Sequence, residues 1–172
     1  MADFNASMKI LSELEKGLDK SQPANPSNFG ITLNFLKAIN DDVNRDGRIN
    51  MQDLLALTPD KAAALFHSHF WNLLNLDAVR SQAIADHTLA LAVNVGPGHA
   101  VALVQKSLVD LNQPIVVDGK LGEHTMDALN SVNPSDFLTH LRSHAEEYYR
   151  ALAAHIPGML KQLAGWLSRV AA

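Results

Sequence analysis

Cysteine is absent from the 172 residues, which removes a disulfide scaffold, a cysteine-ligated zinc and a thiol nucleophile from consideration. Aromatic residues are scarce, at 6%, and no apolar run is long enough to cross a bilayer. There is no basic block either. Fourteen Lys and Arg against eighteen Asp and Glu give a net charge of −4, too little clustered positive charge to neutralise a run of phosphates, so no nucleic-acid partner is expected. The segment from Met1 to Leu18 interleaves Asp3, Lys9, Glu13, Glu15 and Lys16 with apolar residues, unlike a signal peptide, and this predicts synthesis in the cytoplasm without one. Gly-x-Ser-x-Gly elbows, phosphate loops and dinucleotide fingerprints are missing, which leaves serine-hydrolase, nucleotide and redox chemistry without a foothold. Strict period-two alternation is nearly absent, and Ile115-Val116-Val117 is the one fair strand candidate.

What is present is helical. With 47% hydrophobic residues at mostly helical spacing, the chain is expected to form a mostly α protein with at most a minor β element. The pattern predicts a first helix from Asp3 to Lys16 that stops near Gly17, then a proline-bearing loop from Asp19 to Asn28 and a short helix from Leu33 to Ile39. Thr58-Pro59-Asp60 reads as a helix start, with Thr58 as N-cap. Further helices are expected from Ser81 to Val95, from there to Leu111, up to Leu129 after an Asp118-Gly119 turn, and from Pro134 to His155. Beyond Pro157-Gly158 a last amphipathic segment carries Leu160, Leu163, Trp166, Leu167 and Val170; its cations Lys161 and Arg169 are too few for a membrane-seeking face, so core packing is expected.

The strongest local motif is Asp42-Val43-Asn44-Arg45-Asp46-Gly47-Arg48-Ile49-Asn50-Met51-Gln52-Asp53. It matches the twelve-residue EF-hand pattern at positions one, three, five, six, eight and twelve. Asp42, Asn44 and Asp46 would offer side-chain oxygens, Arg48 its carbonyl, Asn50 a direct or water-mediated contact and Asp53 the closing carboxylate. Gly47 would permit the sharp turn, and Ile49 should point inward. A closing Asp rather than Glu makes the segment similar to the calcium loop of dockerin modules. The other reading of the same residues is a solvated Asp-Gly turn. Only one such loop exists, so a structural Ca2+ ion rather than a paired sensor is expected.

In the first helix Phe4, Met8, Leu11 and Leu18 step by four and three residues, and Glu15 falls in that series while Glu13 lies opposite. A carboxyl held against apolar neighbours at the negative end of a helix dipole should have a raised pKa, which suits a general acid. Alternatively, Leu14 pulls the buried face round and leaves Glu15 at a frayed, wet helix end.

Phe4-Asn5 leading to Leu14-Glu15-Lys16-Gly17-Leu18, followed by Ser27-Asn28-Phe29-Gly30-Ile31-Thr32, resembles the Glu-Gly-Gly-Tyr and Thr-Asn-Trp-Gly-Ile-Thr motifs of glycoside hydrolase family 108. The similarity continues through Lys61-Ala62-Ala63 with Phe70-Trp71, Val93-Asn94-Val95-Gly96, Ala100 with Gln105, Val117 to Gly122 with Thr125, and Gly165-Trp166 with Arg169-Val170. It thus spans nearly the whole chain. The resemblance implies a lysozyme-like helical fold and an N-acetylmuramidase of the phage endolysin type, cleaving the β-1,4 bond between N-acetylmuramic acid and N-acetylglucosamine. It also implies a catalytic lobe at residues 1–77 and a peptidoglycan-binding-like helical lobe at 78–172, packed as one unit. Glu15 matches the family's catalytic acid, and Ser27 matches a Thr that could hold the attacking water or a sugar hydroxyl.

Departures from the family pattern are Lys16, Leu18, and Gln22-Pro23-Ala24-Asn25 in place of Asp-Pro-Gly-Gly. A second carboxylate is therefore missing from its expected place. Asp19, in the same loop, is a candidate replacement. A further family Asp appears here as Ala90, with Asp86 one turn earlier on the same face. The expected partner is bacterial peptidoglycan, reached by a monomer in the periplasm or outside the cell after release by a holin or a secretion system. The competing expectation is a calcium-stabilised wall-binding accessory protein that has lost catalysis. Elsewhere, His140, His144 and Glu147 share a helix face, but Leu141 breaks the metalloprotease pattern and a solvated face is expected rather than zinc.

Overall fold

The computed structural model describes residues 1–15, 17–20 and 25–155. Helix α1 covers Phe4–Leu14, and three short strands follow: β1 (Leu18–Asp19), β2 (Ser27–Asn28) and β3 (Ile31–Thr32). Then come α2 (Leu33–Ile39), α3 (Met51–Ala56), α4 (Pro59–Phe66), α5 (Gln82–Val95), α6 (Pro97–Asp110), α7 (Glu123–Ser131) and α8 (Pro134–His155). The fold is mostly α and lysozyme-like, with a minor β element, as expected.

Side-chain caps set most helix starts. Asp3 accepts from the Ala6 amide, Thr32 from Phe35, Thr58 from Lys61 and Ser81 from Ile84, each satisfying an orphan donor of a first turn. Pro59 fills the first turn of α4, where its missing N–H costs nothing. Helix α4 runs on into a π turn at His67–Trp71, which gave no sequence signal. That turn drives Trp71 fully into the core, where its Nε1 donates to Asp77 Oδ1 at 2.8 Å and Phe4 meets its ring edge-on.

At the centre lies α5, packed against α1, α6, α8 and the π turn. Its buried residues Ile84, Ala85, Leu89, Leu91 and Ala92 lie on more than one side, as befits a helix with neighbours all round. Ser7 of α1 and Gln82 of α5 both donate to Asp86 Oδ1, so a polar seam joins these helices.

Two expectations need correction. The β-branched run Ile115-Val116-Val117 forms no strand: Ile115 alone turns inward, Val116 is 77% exposed, and the next two amides, of Asp118 and Gly119, donate to the buried Gln105 side chain rather than to a ladder. The sheet lies instead at the edges of and just beyond the stretch expected as a proline-bearing loop from Asp19 to Asn28. It has the order β1-β2-β3, antiparallel throughout. Helix α1 also ends earlier than expected, at Leu14, with Glu15 as its C-cap. The amphipathic segment holding Leu160, Leu163, Trp166, Leu167 and Val170 lies outside the described residues, as do Lys16 and positions 22–24. No described helix is long and apolar enough to cross a membrane.

Candidate active site

Glu15 stands where α1 stops. Its N–H still donates to the Leu11 carbonyl, at 2.9 Å, but its backbone has left the helix and the side chain is half-buried. Gly17, at φ +63, then reverses the chain into β1, a left-handed conformation that glycine adopts without penalty. Across from Glu15, Phe29 (φ 50) and Gly30 (φ 77) form the two-residue turn between β2 and β3, both with the positive φ that matches hairpin twist. Glu15 lies on that turn. A methyl group at Gly30 would stand 2.9 Å from Glu15 Cγ and 3.2 Å from Phe66 Cζ, so the absence of a side chain at Gly30 makes room for the carboxylate-bearing one.

The sheet register sets the other candidates. Asp19 is paired with Ser27, and Ser27 in turn with Thr32, so all three lie in one cross-strand row. The alternate row holds Asn28 and Ile31, both buried. Asn28 Nδ2 donates to the Leu54 carbonyl at 2.7 Å, clamping the hairpin to α3. Asp19 is exposed and Ser27 half-buried.

Beside Glu15 opens a cleft of about 250 Å³, lined also by Met8, Ser12, Gly17, Phe29, Pro59 and Ala62. Its walls are mostly apolar, and Glu15 is the carboxylate among them. Asp19 and Ser27 sit beside the cleft on the sheet rather than in its lining. Asp86 is elsewhere, engaged with Ser7 and Gln82. Ser7 precedes Glu15 by eight residues, about 12 Å along the helix. Sequence reasoning missed Met8, Ser12, Pro59 and Ala62 as lining residues. A Phe-Gly pair between short polar and apolar stretches was the available hint of the hairpin.

The loop 42–53 folds around its own side-chain oxygens. Asp42 Oδ2 accepts from the Gly47 amide at 2.7 Å and its Oδ1 from Asp46, Asn44 Oδ1 accepts from Asp46, and Asp46 Oδ1 accepts from Arg48. Gly47, at φ +83, makes the turn. Asp53 is fully buried: Oδ2 takes the Asn50 amide at 2.7 Å and Oδ1 the Asn44 amide, which closes the loop and caps α3. Burial pushes this carboxyl up, but the backbone amides of Asn50, Asn44 and Val43 outweigh it and hold it below the usual carboxylate range. Ile49 packs against the core. Among the described residues no three His, Cys, Asp or Glu side chains converge as a metal cluster. The donor set does fit a hard cation in type: the side chains of Asp42, Asn44 and Asp46, the Arg48 carbonyl and Asp53 offer oxygen only. His140 and His144 both approach Asp110 Oδ2, at 3.4 and 2.8 Å, across α8 and the end of α6.

The family model for glycosyl hydrolase 108 matches residues 10–96, half of the chain and the part that carries Glu15, the hairpin and the cleft. The chain belongs to the glycosyl hydrolase 108 family. A second model, described as a predicted peptidoglycan domain, matches residues 99–171. Among solved structures, that of Brucella abortus SagA is similar with a TM-score of 0.79 and 24% identity over 98% of this chain and 89% of that one, a likeness of fold. No curated protein matches. This glycosyl hydrolase 108 protein is accordingly a glycoside hydrolase directed at peptidoglycan, and the cell wall is where it acts.

Proposed function

We propose that the protein is an N-acetylmuramidase that hydrolyses the β-1,4 bond between N-acetylmuramic acid and N-acetylglucosamine, with Glu15 as general acid. The observation that carries this reading is the Glu15 carboxylate at a helix end, lining an open and mostly apolar cleft of the glycosyl hydrolase 108 part. A cleft that closes over bound sugar excludes water around the bond to be broken, which favours direct proton transfer from a general acid. Glu15 donates a proton to the leaving glycosidic oxygen as positive charge develops on the muramoyl ring, and water adds to the anomeric carbon, giving up its proton to a second carboxylate. Ser27 positions the water or a sugar hydroxyl, and Asp19, its cross-strand neighbour, supplies a second carboxylate beside the cleft.

Mass spectrometry of fragments from purified peptidoglycan tests this. Wild type should release products ending in reducing N-acetylmuramic acid, and Glu15→Gln, which keeps the size of the side chain, should release none while melting at nearly the same temperature. Ends in the 1,6-anhydro form would mean a lytic transglycosylase. Wall binding without release by wild type would make the protein a non-catalytic accessory.

We further propose that loop 42–53 takes a structural Ca2+ through Asp42, Asn44, Asp46, the Arg48 carbonyl and Asp53. The ion would add positive charge among three carboxylates and tie α2 to α3 next to the hairpin clamped by Asn28. Chelation, or Asp42→Ala, should cost the linked binding energy, about 2.7 kcal/mol of stability at a hundredfold excess over Kd, and so lower the melting temperature. An identical melting curve with calcium and with chelator leaves the loop as a turn only.

A further inference from the structure

Among the described residues, five other than glycine hold a positive φ. Asn40, Asn75 and Asn112 are asparagine, which tolerates the left-handed region best after glycine, and Arg45 sits in the polar loop 42–53. Phe29, at φ 50, is the exception. It puts a bulky apolar side chain at the first position of a two-residue turn where asparagine, aspartate or glycine is the ordinary choice. An aromatic residue in that conformation costs stability that asparagine would not.

The surroundings hold Phe29 there. Its N–H donates to the Gly17 carbonyl at 3.1 Å, Asn28 Nδ2 ties the preceding residue to α3, and the Leu33 amide donates to the Pro26 carbonyl beyond the strand ends. The turn is fixed from several sides, so the strained backbone gives the ring one place. That place is the wall of the Glu15 cleft, where Phe29 is the one aromatic among the lining residues. The ring packs partly on the core but stays half-buried, and it meets no other aromatic ring among the described residues. Next to it in the same turn, Gly30 carries the close approach to Glu15 Cγ, so one turn places both the ring and the carboxyl. A pyranose has polar edges and an apolar C–H face, and that face stacks on an aromatic ring. Met8, Pro59 and Ala62 extend the apolar wall, and Ser12 turns its hydroxyl back to the Lys9 carbonyl, so apolar contact dominates this side of the cleft.

We propose that Phe29 is the stacking platform for an N-acetylhexosamine ring of the glycan strand, holding beside Glu15 a sugar of the bond to be cleaved. The proposal rests on the reading of the Glu15 cleft as the site that takes the glycan, and it adds the residue that sets affinity there. A ring kept at a conformational cost, half-buried and beside the carboxyl, serves the substrate rather than the fold.

The test is an NMR titration of full-chain Glu15→Gln, which removes turnover, with the soluble tetrasaccharide of alternating N-acetylglucosamine and N-acetylmuramic acid. Protons on one face of a bound sugar ring should move upfield under the ring current of Phe29. Phe29→Tyr in the same background should keep that shift and the affinity. Phe29→Leu should abolish the shift and weaken binding about tenfold at matched folded fraction, and Phe29→Asn, which relieves the backbone, should lose as much. With Glu15 intact, Phe29→Leu should raise KM for the same glycan about tenfold and change kcat far less. Absent binding, a bound sugar whose protons do not shift, or affinity that follows the folded fraction alone overturns the proposal. Shifted sugar protons without product from wild type would keep the platform and remove the muramidase reading. Product release with unshifted protons would do the reverse.

Discussion

At Gly30 two requirements coincide. Its φ of +77 belongs to the left-handed region, and a Cβ there would meet Glu15 Cγ at 2.9 Å. Gly47 has a similar φ of +83 but open space around it. Gly30→Ala and Gly47→Ala should therefore share a backbone cost of about 1–2 kcal/mol, and only Gly30→Ala should also push the Glu15 side chain from its place. The expected outcome is comparable losses in melting temperature with a fall in wall hydrolysis, about tenfold or more, confined to Gly30→Ala. Equal hydrolysis by the two variants at matched folded fraction would show that contact with the hairpin does not position Glu15. That Glu15 stands at the end of α1 was legible, because Gly17 marks the stop of the helix two residues on, while the sequence left open whether its side chain joins the apolar face. Its contact with Gly30 was not, since nothing in a linear sequence says that a helix end and a hairpin turn fifteen residues later will touch.

Single elements divide in the same way. The starts of α2, α4, α5 and α8 follow from Thr32, Thr58, Ser81 and Pro134, because a cap acts within three residues of itself. The strands escaped notice because two-residue segments cannot display alternation, and their pairing is fixed by the turn at Phe29-Gly30 rather than by β-branched composition. Ile115-Val116-Val117 failed in the opposite sense, with the right composition and no strand to pair with. There a side chain replaces the ladder: Gln105 Oε1 accepts from the Asp118 and Gly119 amides while its Nε2 donates to Asp118 Oδ1 and to the Lys120 carbonyl. The Gln105 hydrogen bond, helped by the Lys120 amide, holds the exposed Asp118 carboxyl below the usual carboxylate range. A lowered folded pKa means that this group's contribution to stability is present above the unfolded value of about 3.9 and is lost as pH falls through the folded value. In Gln105→Leu the main lowering cause is gone, so the Asp118 carboxyl signal in an NMR titration should move its midpoint upward toward the ordinary value. An unchanged midpoint would assign the shift to Lys120 instead.

Across the whole molecule, the question is which acids serve the fold and which serve the chemistry, and α5 separates them. Every helix that packs on α5 depends on its placement, and the seam that fixes α1 against it is polar: Ser7 and Gln82 donate to Asp86, and Gln82 also donates to the Asp3 carbonyl and accepts from the Asp3 amide at 2.7 Å. These bonds close at one end of α1, and Glu15 projects at the other, so the seam sets the angle at which the catalytic candidate meets the hairpin. Asp86→Ala leaves the Ser7 hydroxyl without its acceptor, while the Gln82 amide keeps the Asp3 carbonyl and Ser7 Oγ, and should cost about 1–3 kcal/mol of stability. Because Asp86 meets α1 at Ser7, about two helical turns before Glu15, the folded fraction of this variant should retain most of its hydrolysis, whereas Glu15→Gln should keep its stability and lose the activity. Unfolding curves and product release measured on the same preparations distinguish the two roles. If Asp86→Ala melts like wild type but releases nothing, Asp86 is the second catalytic carboxylate and the seam is dispensable; a stability loss with preserved turnover makes the α1–α5 seam the frame that holds Glu15 in place.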